Sequence, residues 1–242
     1  RALALVFEQV SWSREALERK IGSSAAWLQG LGLSPGDRAV LMLDNGPDFL
    51  GLFMGCLRIG IIPVPLAPKS PLKRLAYIQE DCRCARIILA PNHHFLQKET
   101  LPGLTSLPAV WPEPADEPAT PGPLALIQYT SGSTSNSKGV MVSQRAVLAN
   151  IDAFAPNMCL GSDTIFSSLM PLFHDMGLVG VGLAPLLLGK PLVLYRQEAL
   201  SLFEWLDGIS AHRVTHTGGS DSLLRIACRV VGDPTKYDLS SL

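Results

Sequence analysis

Residues 129 to 140 read Tyr129-Thr130-Ser131-Gly132-Ser133-Thr134-Ser135-Asn136-Ser137-Lys138-Gly139-Val140, directly after an apolar run. Hydroxyl and backbone N–H groups donate hydrogen bonds, and glycine lets a backbone come close to what it surrounds. Lys138 adds a mobile positive charge suited to phosphate oxygens. Such a set can wrap an anion. It is not a Walker A loop: counted from Gly132, that pattern needs Gly at 137, where Ser137 stands, and Ser or Thr at 139, where Gly139 stands. A flexible polar linker is the other reading. A linker is not expected between two apolar strands with a lysine at its end.

A second candidate is Pro171-Leu172-Phe173-His174-Asp175-Met176-Gly177-Leu178. A lone histidine beside a phenylalanine is usually packed or capping. Here a preceding proline and a following glycine suggest a turn at a strand end, where ligand sites collect in parallel sheets. His93-His94 is weaker still: adjacent histidines on a helix cannot face one metal, and a solvated loop is expected.

The elements that position these residues alternate along the chain. Ser13 is placed to cap a helix with Leu17, Ile21, Ala25 and Leu28 on one face, ended by Gly30 and Gly32. Residues 39–43 read as a buried strand. Pro47 to Leu57 is helical, with Phe49, Leu50, Phe53 and Leu57 on one side. Residues 61–65 form an extended run whose two prolines demote it to an edge or a strand end. A helix at 71–82 and a strand at 86–90 follow. Residues 91–123, proline-rich and without periodicity, read as a long surface connection. Strands are then expected at 124–128, 140–142, 165–169 and 191–195, helices from Ser143 and around 200–209, and an extended run at Arg213–His216. This alternation predicts an α/β fold with mostly parallel sheets flanked by helices.

With 47% hydrophobic residues and a net charge of −1, the 242-residue chain is not of the disordered class, and no field attracts nucleic acid. The five cysteines, Cys56, Cys82, Cys84, Cys159 and Cys228, are odd in number and form no Cys-x-x-Cys pair. Reduced thiols and a cytoplasmic location fit that pattern. The first eight residues carry too short an apolar run for a signal peptide, and without an initiator Met the chain is expected to be trimmed there. Residues 176–189 are apolar but too short to span a membrane. On an α-helix Gly177, Gly180 and Leu183-Ala184 would share a face, which leaves either a groove or a closely packed surface.

The 129–140 stretch resembles the signature loop of the adenylate-forming superfamily, Tyr-Thr-Ser-Gly-Ser/Thr-Thr-Gly-x-Pro-Lys-Gly-Val. That superfamily includes acyl-CoA synthetases, luciferases, nonribosomal-peptide adenylation domains and fatty acyl-AMP ligases. The chain keeps Tyr129 through Thr134 and Lys138-Gly139-Val140. It departs at Ser135, where glycine is usual, at Ser137, where proline is usual, and at Ser143-Gln144, where Ser-His is more common. Val10-Ser11-Trp12-Ser13 with Leu17, Gly36 to Val40 and Cys56 to Pro65 also resemble the family. The His174-Asp175-Met176-Gly177-Leu178 continuation is similar to the fatty acyl-AMP ligase branch. So is Thr215-His216-Thr217-Gly218-Gly219, with Ser220 where that branch commonly has proline.

The resemblance implies ATP-dependent activation of a carboxylic acid, with a fatty acid expected, to its acyl-adenylate. Transfer to a carrier-protein phosphopantetheine or a CoA thiol would follow. It assigns Thr130, Ser131, Gly132, Ser133, Thr134, Lys138 and Gly139 to the phosphates, and Thr134 to Mg²⁺. Lys138 and His174 are the expected catalytic residues. His174, Asp175, Met176, Gly218 and Gly219 are expected at the acid substrate, with His216 either a contributor or structural. By the same resemblance, residues 1–242 correspond to part of an N-terminal adenylation domain. The adenine-binding motif and the C-terminal domain would lie beyond, and the fragment alone is expected to be inactive. The rivals are an acyl- or aryl-CoA ligase, an amino-acid adenylation domain, and a non-catalytic nucleotide-binding or scaffold relative.

Overall fold

A computed structural model describes residues 2–91, 101–114, 120–130, 137–197 and 201–242. The chain folds as two compact units, one of Arg1–Leu17 with Asn150–Leu242, the other of Glu18–Ala149. In chain order the strands are β1 Leu3–Phe7, β2 Val10–Ser13, β3 Arg38–Met42, β4 Ile62–Pro65, β5 Arg86–Leu89, β6 Leu104–Ser106, β7 Leu124–Tyr129, β8 Gly139–Ser143, β9 Phe166–Ser168, β10 Leu192–Leu194 and β11 His216–Gly218. The α-helices are α1 Arg14–Gly30, α2 Pro47–Arg58, α3 Leu72–Asp81, α4 Gln144–Phe154, α5 Ala184–Leu187, α6 Ser201–His212 and α7 Asp221–Val230.

In the Glu18–Ala149 unit, β4-β3-β5-β6 form a parallel sheet, and β7 and β8 form an antiparallel hairpin. Parallel neighbours need crossovers, and α2 and α3 supply those from β3 to β4 and from β4 to β5. β3 is buried along Ala39–Met42, the continuous apolar run of a strand covered on both faces. β4 lies at the sheet edge as its prolines predict. Ile62 N–H and Leu66 N–H donate to the β3 side, at Asp37 and Leu41 carbonyls, so Pro63 and Pro65 fall at the alternate positions where no ladder donor is needed. The core joins Val40, Met42, Val64, Leu75, Ile78, Ile87, Leu89, Ile127 and Tyr129.

The other unit carries a five-stranded sheet, β11-β9-β10-β1-β2, parallel except where β2 turns back on β1. Glu8 and Gln9 make that turn with φ of 49° and 65°, the left-handed pair that a tight hairpin requires. Its core gathers Val6, Leu169, Val193, Leu202, Trp205, Leu206, Ile209 and Val214.

Ser13 caps α1 as expected: its Oγ accepts from Ala16 N–H at 3.1 Å, and Leu17, Ile21, Ala25 and Leu28 are all buried. Three expectations need correction. Residues 91–123 are not only a connection, because β6 pairs with β5 and Trp111 packs edge-on against Trp27 and under Lys20. A three-residue strand is too short to show a period. The extended run expected at Arg213–His216 begins later, at His216. Arg213 closes α6 in a left-handed turn with φ 48°, and Val214 N–H still donates to Ile209. Residues Met176–Leu183 form a π-helix in place of the α-helical period assumed for them, and only Ala184–Leu187 continue as an α-helix. His93-His94 lies outside the described residues. Among those described, no helix is long and apolar enough to cross a membrane.

Candidate functional site

The Ser/Thr/Gly loop joins β7 to β8, so the two apolar strands that flank it are partners in one hairpin. Of the residues expected at the phosphates, Thr130, Lys138 and Gly139 are described, while Ser131, Gly132, Ser133 and Thr134 lie outside the described residues. The stem closes where Thr130 N–H donates to the Lys138 carbonyl at 3.1 Å, next to the Tyr129–Gly139 pair. Gly139 is required there. A Cβ would stand 3.0 Å from the Tyr129 ring and 2.9 Å from Ile127 Cγ2. Lys138 itself is exposed, so its ammonium is open to an anion.

Two side chains that the sequence did not single out reach this stem from α3. The Tyr129 hydroxyl donates to Asp81 Oδ2 at 2.5 Å, and the Tyr77 hydroxyl donates to the Ser137 carbonyl at 3.1 Å. Tyr129 is buried, and burial together with the Asp81 hydrogen bond raises its phenol above the ordinary tyrosine range, so it stays a donor. A spacing of four puts Tyr77 and Asp81 on one helix face. That i,i+4 relation was visible, but its target 48 to 60 residues away was not.

In the other unit, His174 sits on the turn after β9. Its N–H donates to Pro171 at 3.2 Å and its carbonyl accepts from Leu178 N–H at 2.7 Å, while its exposed ring lies 4.9 Å from that of Phe173. Asp175 caps the π-helix, with Oδ1 accepting from Met176 N–H at 2.8 Å. Along that helix Gly177 and Gly182, five apart, share the packed face. A Cβ on Gly177 would fall into the Pro171 carbonyl, and one on Gly182 would stand 2.8 Å from Gly177 O. Gly180 faces open space, with nothing within 4 Å of its Cβ position. The face expected from a 3.6-residue period is therefore wrong. Both alternatives hold in part: one side is closely packed and the other is open.

The same helix reaches the second expected acid segment. A Cβ on Gly218 would stand 2.8 Å from Val181 Cγ1. Val181, Phe166, Thr217 and His216 line a cavity of about 260 Å³ in this unit, of which His174, Asp175, Met176, Gly218 and Gly219 are not lining residues. A larger cavity of about 650 Å³, between β1, β10 and α6, holds none of the expected site residues. His216 is fixed in place: Nε2 meets the Met158 carbonyl at 2.5 Å, Nδ1 meets Thr215 Oγ1 at 2.7 Å, and the ring stacks on Phe166 at 5.0 Å. A carbonyl only accepts, so Nε2 carries a proton. That is the structural alternative for this residue.

β11 is held by a polar network inside the core. Trp205 Nε1–H reaches Ser167 Oγ at 3.0 Å and Thr217 Oγ1 at 3.1 Å, and Ser167 Oγ donates to Thr217 Oγ1 at 2.9 Å. Ser220, where the similar family branch has proline, caps α7 by accepting from Leu223 N–H at 3.2 Å. The substitution thus keeps a helix start after Gly218-Gly219.

Comparison with known proteins agrees with the family resemblance of the sequence. Medium-chain-fatty-acid–[acyl-carrier-protein] ligase JamA of Moorena producens (strain JHB) is 30% identical over 233 residues, 86% of this chain and 39% of that protein. The corresponding ligase TtuA of Teredinibacter turnerae (strain ATCC 39867 / T7901) is 38% identical over 127 residues, 51% of this chain and 20% of that protein. A fatty acyl-adenylate ligase from L. pneumophila, solved with acyl adenylate and pyrophosphate, superposes with a TM-score of 0.85 at 26% identity, covering 99% of this chain and 45% of that one. The chain spans less than half the length of each of these relatives. The family described as AMP-binding enzyme matches residues 1–242, and the chain belongs to that family.

Proposed function

We propose that the protein containing this chain activates a fatty acid with ATP, forming an acyl-adenylate and then a thioester on a carrier protein. The observation that carries the reading is the β7–β8 hairpin, which presents an exposed Lys138 at the closed stem of a loop rich in hydroxyl donors. A carboxylate oxygen attacks the α-phosphorus in line, the bond to the β-phosphate oxygen breaks, and pyrophosphate leaves. Thr130, Ser131, Gly132, Ser133, Thr134 and Gly139 bind the phosphates, and Lys138 offsets the charge that grows on the leaving pyrophosphate. His174, with Asp175 and Met176 beside it, orients the carboxylate, and Gly218 and Gly219 border the acyl chain. Mg²⁺ supplies further charge neutralisation when bound. Its expected ligand, Thr134, lies outside the described residues. The chain would contribute part of an N-terminal adenylation domain in a cytoplasmic enzyme.

A fatty acid is favoured because the JamA and TtuA relatives are named for medium-chain fatty acids, and the same names favour a carrier-protein thiol over CoA. Burying each added CH₂ contributes roughly 0.8 kcal/mol, about fourfold in kcat/KM, until the pocket is full. The test is acid-dependent ATP–pyrophosphate exchange by the full-length enzyme on acetate, octanoate, dodecanoate and proline. Rates should rise from acetate to the longer acids. Full activity on acetate or proline, with none on fatty acids, would overturn the fatty-acyl assignment. No acid-dependent exchange with any acid would overturn adenylation.

A further inference from the structure

We infer that Tyr77 and Asp81 of α3 are positioning residues for Lys138, acting on nucleotide use and not on acid use. The inference rests on the reading that Lys138 contacts the ATP phosphates. A lysine side chain has a flexible four-carbon stem, so what the fold can fix is its backbone. Three contacts do so. The Lys138 carbonyl accepts from Thr130 N–H at 3.1 Å. The carbonyl just before it, of Ser137, accepts from the Tyr77 hydroxyl at 3.1 Å. Gly139, just after it, lies against the Tyr129 ring, and that ring is held through its hydroxyl by Asp81 at 2.5 Å. The residues on both sides of Lys138 are thereby tied to one turn of one helix.

The tie is rigid at its far end. Leu75 and Ile78, on the same helix, are fully buried among Val40, Met42, Val64 and Ile87 of the parallel sheet, and Tyr77 packs against that cluster. A loop with Ser135 and Ser137 in place of the family's usual glycine and proline lacks the fixed φ that a proline would give at 137. The Tyr77 hydroxyl bonds the carbonyl of that very residue. It supplies from outside a restraint that the loop sequence does not supply from within.

The experiment uses the full-length enzyme with octanoate and ATP, and measures KM for each substrate by pyrophosphate exchange in Tyr77→Phe, Asp81→Ala, Asp81→Asn and Lys138→Ala. Tyr77→Phe removes one oxygen and keeps the ring, so unfolding is not the expected outcome, and a thermal melt checks this. KM for ATP should rise about 3- to 10-fold, the range of one lost neutral hydrogen bond, with KM for octanoate unchanged. Asp81→Ala should do the same, and Asp81→Asn, which keeps an acceptor, should restore most of the loss. A general weakening of the fold would not separate the two substrates. Added to Lys138→Ala, Tyr77→Phe should change KM for ATP by less than about twofold, because coupled residues are not additive. Three results overturn the inference while leaving the proposed function standing, provided Lys138→Ala itself slows exchange. They are no effect of Tyr77→Phe, equal rises for both substrates, or full additivity with Lys138→Ala. If Lys138→Ala leaves exchange unchanged, the reading of the loop fails, and the role of Tyr77 and Asp81 fails with it.

Discussion

Lys138 and His174 are held in opposite ways. The hydrogen bonds from and to α3 around Lys138 span 60 and 48 residues of sequence and end on a helix seated on a buried parallel sheet. The bonds at His174 are local, from Pro171 and to Leu178, and the ring is exposed. Long-range ties are made only once the whole unit has folded, so they order the hairpin stem before a ligand arrives. A locally held turn leaves its side chain free to choose among rotamers. The stem around Lys138 is therefore the preorganised one, and the turn at His174 is the adaptable one.

The sharpest way to break this contrast is at the two side chains themselves. Lys138→Ala in the full-length enzyme should slow ATP–pyrophosphate exchange by about 10²–10³-fold, as loss of a preorganised electrostatic donor does. His174→Ala should cost less, up to about 10²-fold in kcat/KM for the acid, from lost positioning. Its KM for ATP should not change. A larger effect at His174 than at Lys138 would reverse the ranking. The packed face of the π-helix gives the next effect. Gly182→Val would push a side chain into Gly177 O and Leu172, destabilising by about 1–3 kcal/mol in a denaturant titration, whereas Gly180→Val should be close to neutral because its Cβ position meets nothing. Equal losses at both positions would mean that the two faces are not distinct. Gly180→Trp extends the same comparison to function: it should shorten the preferred acyl chain and leave ATP use intact. The smallest effect is expected at Ser220→Ala, where loss of the α7 cap should lower stability by about 1 kcal/mol without altering the acid preference.

The contrast also governs what could be read in advance. β3, β5 and β7 were legible because a strand buried on both faces is a run of apolar residues, and the place of the loop between β7 and β8 was legible because its polar residues are contiguous between two apolar runs. Tyr77 and Asp81 were not, since polar residues on an amphipathic helix read as its solvent face until the fold shows what they touch. β11 was misplaced for a related reason. Its residues are only partly buried, and His216 and Thr217 are hydrogen-bonded by Met158, Ser167 and Trp205 from other parts of the chain, so no hydrophobic signal marks it. The π-helix defeated a rule that assumes 3.6 residues per turn. Its i,i+5 glycines look like ordinary scatter on an α-helical wheel.

The central claim is that a carboxylate oxygen attacks the α-phosphorus of ATP, and oxygen transfer tests it most directly. The full-length enzyme would be given octanoate labelled with ¹⁸O in both carboxyl oxygens, with ATP, Mg²⁺ and an acceptor thiol, and the products analysed by mass spectrometry. Attack at the α-phosphorus followed by thiol transfer leaves one ¹⁸O in AMP and none in pyrophosphate. Label in inorganic phosphate with formation of ADP, or unlabelled AMP alongside thioester, would contradict the account.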